Sequence, residues 1–103
     1  MNRACDVIER AGFETVRQIY MGKEKSISSG FIHSLGHGVG LTIGESPYLS
    51  FNSKTPLETG EVVTVEPGVY VPRYGGVRIE DTVVIKSKGI ENLTPVEKEL
   101  ELT

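Results

Sequence analysis

The chain has 103 residues, 38% apolar and 24% charged, with a net charge of −3. That length suits one small domain, and the balance is globular rather than disordered. No basic cluster speaks for a nucleic-acid partner, no apolar run approaches a membrane span, and the lone Cys5 rules out an internal disulfide.

A single cysteine fits a reducing compartment. Met1-Asn2-Arg3-Ala4 lacks the hydrophobic core of a signal peptide, so a cytoplasmic protein is expected. A chain this size buries roughly two-thirds of its unfolded surface and needs a well-made core to fold alone.

Residues 2–11 read as a helix. Ala4, Ile8 and Ala11 fall at helical spacing, Asn2 can cap it, and Gly12 fits a left-handed stop. Cys5 reads as a small buried hydrophobe. In residues 13–30, Phe13, Val16 and Tyr20 fit either a short helical continuation or a strand end, and Gly22 to Ser26 reads as loop.

Phe31-Ile32-His33 reads as a short buried strand. Gly36, Gly38 and Gly40 then alternate with His37 and Val39, and glycine within a strand marks close approach of a ligand or another backbone. A glycine-rich hairpin around a satisfied core histidine gives the same pattern. Gly44 to Tyr48 reads as a turn into a loop, with Glu45 solvated. Glu61 to Glu66 is the best strand, with Val62, Thr64 and Glu66 on one face.

Val69-Tyr70-Val71 begins another strand, and Tyr74-Gly75-Gly76 reads as a hairpin turn. Val77 to Ile85 alternates as one strand, with Arg78, Glu80, Thr82 and Val84 on one side and Asp81 on the other. A carboxylate between an arginine and a threonine suits a polar cavity, and equally a solvated outer face. Ile90 to Leu93 reads as a last short strand, and Glu97 to Thr103 as a solvated tail.

His37, Glu66 and Glu80 together offer one imidazole and two carboxylates. Oxygen-rich ligation of this kind suits Mn²⁺, Co²⁺, Fe²⁺ or Zn²⁺. Two such ions sharing a carboxylate can activate a bridging water for hydrolysis. His33, four residues before His37, falls on the same side if both lie on one strand. There it can hydrogen-bond a substrate or a developing oxyanion. Arg78 can orient Glu80 or hold a substrate group.

Three segments carry a resemblance: Phe31-Ile32-His33-Ser34-Leu35-Gly36-His37-Gly38-Val39-Gly40-Leu41, Val63-Thr64-Val65-Glu66-Pro67-Gly68-Val69-Tyr70, and Gly76-Val77-Arg78-Ile79-Glu80-Asp81-Thr82. In this order they resemble motifs of the pita-bread metallopeptidases. The nearest types are the Xaa-Pro dipeptidases and Xaa-Pro aminopeptidases; methionine aminopeptidases are more distant. The resemblance implies an α+β fold, half of a pita-bread domain, with an antiparallel sheet and an N-terminal helix packed on one face. It implies His37, Glu66 and Glu80 as metal ligands, Glu66 also as proton shuttle and Glu80 as bridge between two ions. His33 takes a catalytic, substrate-side role and Arg78 the edge of the site. The implied reaction is hydrolysis of a peptide bond near a substrate N-terminus, often before proline.

Two departures qualify that implication. The family uses five metal ligands, two of them aspartates on preceding strands. This chain has only Asp6, in the predicted helix, and Asp81, pointing away from Glu80. Residues 1–103 thus read as a single partial domain, the C-terminal half of a catalytic domain. The family also usually carries a histidine where Gly44 stands, before Glu45. The expected result is a chain inactive alone, with weak or partial metal occupancy. Its exposed sheet edge would pair with the missing N-terminal half or with a second copy. A non-catalytic remnant is the alternative.

Overall fold

The computed structural model describes residues 1–101. Helix α1 spans Asn2–Arg10 and buries Cys5 completely. Its cap is Met1 rather than Asn2, and no side chain caps it. Gly12 follows at φ +95°, the left-handed stop read from the sequence.

A single helical turn, α2 (Arg17–Tyr20), is tied back to α1 by charge. Arg17 Nη1 donates to Asp6 Oδ1 at 2.8 Å, and its other nitrogens donate to the Glu9 carboxylate. The buried Thr15 hydroxyl donates to Glu9 Oε1 at 2.6 Å. The Arg17 and Thr15 hydrogen bonds hold the Glu9 carboxyl below its usual range. Stability from a depressed carboxylate is present above its unfolded pKa and is lost as pH falls through the folded one. Arg17→Met is therefore expected to lower the thermal midpoint at pH 7. The gap to the parent chain should close as the pH is taken below the Glu9 titration, as followed by circular dichroism.

The strands are β1 (Gly36–Gly38), β2 (Glu45–Leu49), β3 (Val62–Val65), β4 (Gly68–Val71), β5 (Gly75–Arg78), β6 (Asp81–Ile85) and β7 (Ile90–Asn92). Five form an antiparallel sheet in the order β2-β1-β3-β6-β7, and β4 and β5 form a separate hairpin. The apolar core is thin: Cys5, Phe31, Val63 and Val83. Thr64 is buried with them because its hydroxyl accepts the His37 N–H at 3.1 Å.

Four sequence expectations are corrected. Phe31 to His33 is not a strand; Gly30 and Phe31 make only isolated bridges, to Tyr70 and Thr15. Gly44 to Tyr48 is not a turn into a loop, since Glu45–Leu49 pairs with β1. Its Pro47 is tolerated because β2 is an edge strand. The chain reverses at residues 72–74, so Gly75 and Gly76 belong to β5 rather than to the turn.

Finally, Val77 to Ile85 is two strands, not one. Val65 pairs with Asp81 and Gly68 with Arg78 in one continuing register, but the ladder lapses at residues 66–67 and 79–80. Pro67 has no N–H to give, and only its carbonyl accepts, from Ile79 at 3.2 Å. The lapse leaves Glu66 and Glu80 facing each other across the break.

Lys98 Nζ and Thr94 Oγ1 both donate to Asp81 Oδ1, at 3.0 and 2.9 Å, and hold its carboxyl below the usual range. Thr94, before the Glu-rich end, and Lys98, within it, are thus pinned to β6, although residues 96–101 are exposed. Leu102 and Thr103 of the predicted tail lie outside the described residues.

Candidate functional site

His37 sits on β1 between two glycines that the sheet requires. A Cβ on Gly36 would lie 1.8 Å from the Thr64 carbonyl oxygen, and one on Gly38 would lie 2.2 Å from that of Ser46. Both flanking strands thus pack backbone-close to β1, leaving the His37 side chain to reach the cavity. Its Nδ1 is 2.9 Å from the Gly38 carbonyl oxygen, which can only accept. In the neutral ring Nδ1 therefore carries the proton, and the Nε2 lone pair is free. Nε2 is 3.6 Å from Glu66 Oε2.

Glu66 is placed by its own backbone, whose N–H donates to the Leu35 carbonyl at 2.7 Å. Its side chain is only 16% exposed. Across the broken ladder it meets Glu80. Burial pushes the Glu80 carboxyl above the usual carboxylate range, and the charge and hydrogen bond of Glu66 push it further. Arg78 and His37 pull it partly back. Like charges at directly opposed strand positions repel, and a cation between them would relieve that repulsion.

A cavity of about 360 Å³ opens here, lined by His33, Gly36, His37, Tyr48, Glu66 and Arg78 among others. His33 reaches it although it does not share a strand with His37. Its Nδ1 donates to the Ser34 carbonyl at 2.7 Å, so in the neutral ring Nε2 accepts from the Tyr70 hydroxyl at 2.8 Å. Tyr70 can lie there because glycines flank its ring: a Cβ on Gly76 would come within 2.4 Å of it, and one on Gly68 within 2.6 Å.

The structure thus draws together His33, His37, Glu66, Glu80 and Arg78. The two aspartates lie elsewhere, Asp6 with Arg17 and Asp81 with Thr94 and Lys98. Among the described residues, no three His, Cys, Asp or Glu side chains are gathered closely enough to enclose an ion alone. The donor chemistry fits part of a divalent-metal site: an imidazole nitrogen, with its lone pair free in the neutral ring, beside crowded carboxylates.

Four further residues shape the site beyond those expected from the sequence. Thr64 anchors the His37 backbone, Tyr70 holds His33, and Tyr48 pairs directly with His37 across β1 and β2. The fourth, Glu45, is not a solvated loop residue: its Oε1 is buried without a hydrogen-bond partner, where a Gly40 side chain would otherwise stand. The glycines at 68 and 76 were the one available sign of Tyr70; nothing in the pattern marked Tyr48. Gly44, at φ +67°, lies over the imidazole, and a Cβ there would be 3.9 Å from His37 Cγ.

The profile of metallopeptidase family M24 matches residues 1–87. The chain belongs to metallopeptidase family M24. It is 55% identical over 78 residues to an Xaa-Pro dipeptidase of Pyrococcus furiosus, covering 76% of this chain and 22% of that one. Among solved structures it resembles an Xaa-Pro dipeptidase from Bacillus anthracis, at 56% identity and TM-score 0.66, covering 69% of this chain and 20% of that one. A dipeptidase from Pyrococcus horikoshii matches 94% of this chain and 25% of its own, at 40% identity and TM-score 0.66. The M24 chain described here therefore spans between a fifth and a quarter of these relatives' length. Its antiparallel sheet and N-terminal helix are the α+β, pita-bread architecture of the prolidases. No helix among the described residues is long and apolar enough to cross a membrane.

Proposed function

We propose that this chain is one half of an Xaa-Pro-type metallopeptidase catalytic domain. It holds His37, Glu66 and Glu80 as an incomplete divalent-metal site, and the remaining carboxylate ligands come from another segment. The observation that supports this most is the position of Glu66, set at once against His37 Nε2 and against Glu80. Mn²⁺, Co²⁺, Fe²⁺ or Zn²⁺ all suit these donors, and the complete family site holds two ions. A bound ion of this kind supplies Lewis acidity and an activated water.

The chain's own residues do the rest. Glu66, with one oxygen toward His37, is placed to take and return a proton. His33 meets a peptide by exchanging its hydrogen bond with Tyr70, and Arg78 holds the peptide at the cavity edge. The substrate is a peptide cleaved near its N-terminus. The buried, unpaired Cys5 supports the cytoplasmic placement expected from the sequence.

The engagement of Asp6 and Asp81 elsewhere, and Gly44 over the imidazole, favour a second reading: a remnant that folds and self-associates without turnover. Leu41 and Ile43, fully exposed on the β1–β2 connection, give either a second copy or the missing half an apolar surface to cover.

Calorimetric titration with Mn²⁺ and Co²⁺, together with an Ala-Pro hydrolysis assay, tests both readings. Weak binding is expected, lost in His37→Ala, with turnover only when a segment supplying two carboxylates is added. Absence of binding at millimolar metal would overturn the first reading. A monomer by light scattering at high micromolar concentration would overturn self-association.

A further inference from the structure

The donor face of this chain is open. Glu66 lies 3.6 Å from His37 Nε2 on one side and meets Glu80 on the other, so two donor pairs adjoin. Among the described residues no three such donors close around one point. Nor does this copy hold a carboxylate in reserve, because Asp6 is engaged by Arg17, and Asp81 by Thr94 and Lys98. We propose that a second copy of the chain completes the site, its His37, Glu66 and Glu80 lying across a two-fold axis from the first set with divalent ions held between them. The inference rests on the metal-site reading above and names the partner that reading needs.

The first argument is one of donors. Divalent transition ions with nitrogen and oxygen ligands take about four to six of them. A donor pair from one copy fills at most about half of those positions, and a matching pair from the other completes a four-coordinate shell. A two-fold interface must be complementary to itself. An acidic face is not, but it becomes so through a cation that both copies attract.

Charge therefore makes the pair depend on the ion. Face to face, the two copies bring together Glu66 and Glu80 from each, four carboxylates against the two Arg78 guanidiniums at the cavity edge. Within one copy the charge of Glu66 already works against that of Glu80. Without an ion the faces repel; a divalent cation between them reverses the sign.

The rim is built to close. Leu41 and Ile43, on the β1–β2 connection, are fully exposed. Gly44 follows Ile43, and the His37 ring is the one neighbour within 4 Å of where its Cβ would stand. Glycine thus puts no side chain between the imidazole and an incoming copy. Apolar side chains covered around an ionic centre keep water from it.

Sedimentation equilibrium of the 103-residue chain, in EDTA and in Co²⁺, tests this. The expected mass is 11.3 kDa in EDTA and twice that in Co²⁺. Raising the chain concentration about tenfold should lower the free Co²⁺ at half-saturation at least about threefold, as mass action requires of an ion that binds the pair. Leu41→Ser with Ile43→Ser removes no ligand and should weaken the Co²⁺-bound dimer at least about tenfold; circular dichroism checks the fold. His37→Ala should stay a monomer in both buffers. A dimer in EDTA would overturn the role of the ion. A Co²⁺ dimer that survives either variant unchanged would place the contact elsewhere and overturn the proposal. A monomer that still binds Co²⁺ in the calorimeter would overturn the second copy and spare the metal-site reading, whereas a monomer that binds none would overturn both.

Discussion

Gly36→Ala is expected to abolish cooperative folding of the sheet, or to lower the urea midpoint so far that the chain is largely unfolded at 37 °C. The added Cβ would stand 1.8 Å from the Thr64 carbonyl oxygen and 2.7 Å from its carbonyl carbon. Both atoms are backbone, so no rotamer change relieves the clash. β1 lies between β2 and β3, and the only way out is for β1 to lift off β3. That breaks the bond from His37 N to Thr64 and the bond from Glu66 N to Leu35. Ordinary overpacking costs about 1–3 kcal/mol. Here the obstacle is main chain, and the loss should reach or exceed the top of that range. A small domain with a thin core has about 5–15 kcal/mol in all. Gly60→Ala is the control: φ is +95° but nothing lies within 4 Å of the new Cβ. It should cost only the roughly 1–2 kcal/mol of a left-handed alanine. A Gly36→Ala chain that melts with the parent would show that the close crossing of β1 over β3 is not what the glycine serves.

How much of this was legible in the sequence depended on side chains that alternate. β3 and β6 are legible because Val62 to Val65 and Asp81 to Ile85 fall within runs of period-two patterning; the pairing of Glu66 with Glu80 is not, and only the family resemblance put the two together. β2 was hidden because Glu-Ser-Pro-Tyr-Leu has no such pattern. It is a strand by virtue of its backbone pairing with a glycine strand, which offers few side chains to read. The break at Ile79 and Glu80 was hidden for the opposite reason: alternation runs straight through it, and the cause, the missing N–H of Pro67, sits on the neighbouring strand. His33 lines the cavity with His37, though not because the two share a strand. Its position is fixed by Tyr70, reaching from the hairpin, a contact that no local pattern reveals.

Glu66→Gln is expected to weaken Co²⁺ or Mn²⁺ binding by more than about 100-fold, since losing a ligand should exceed the roughly 10–100-fold cost of losing an outer-shell partner. Gln keeps the shape but removes the charge that faces both His37 and Glu80. The same change has a second consequence, of opposite sign, for the metal-free chain. Burial, and after it the Glu66 charge and hydrogen bond, hold the Glu80 carboxyl above its usual range. The folded state then holds that proton more tightly than the unfolded chain does. The Glu80 contribution to stability is therefore greatest at low pH and falls as pH rises through the raised Glu80 titration, opposite in sign to that of Glu9. Removing the Glu66 charge lowers the Glu80 titration and should raise metal-free stability near neutrality by roughly 0.2–1 kcal/mol, the range for opposed like charges on paired strands. Metal binding by the parent chain should weaken on acidification at a higher pH than an isolated carboxylate would require, because a protonated Glu80 no longer offers its charge. Thermal melts with and without Co²⁺, taken at steps across the carboxylate range, read both effects at once. A variant that binds Co²⁺ like the parent, or that loses metal-free stability near neutral pH, would mean that Glu66 and Glu80 are neither a shared cation site nor a repelling pair.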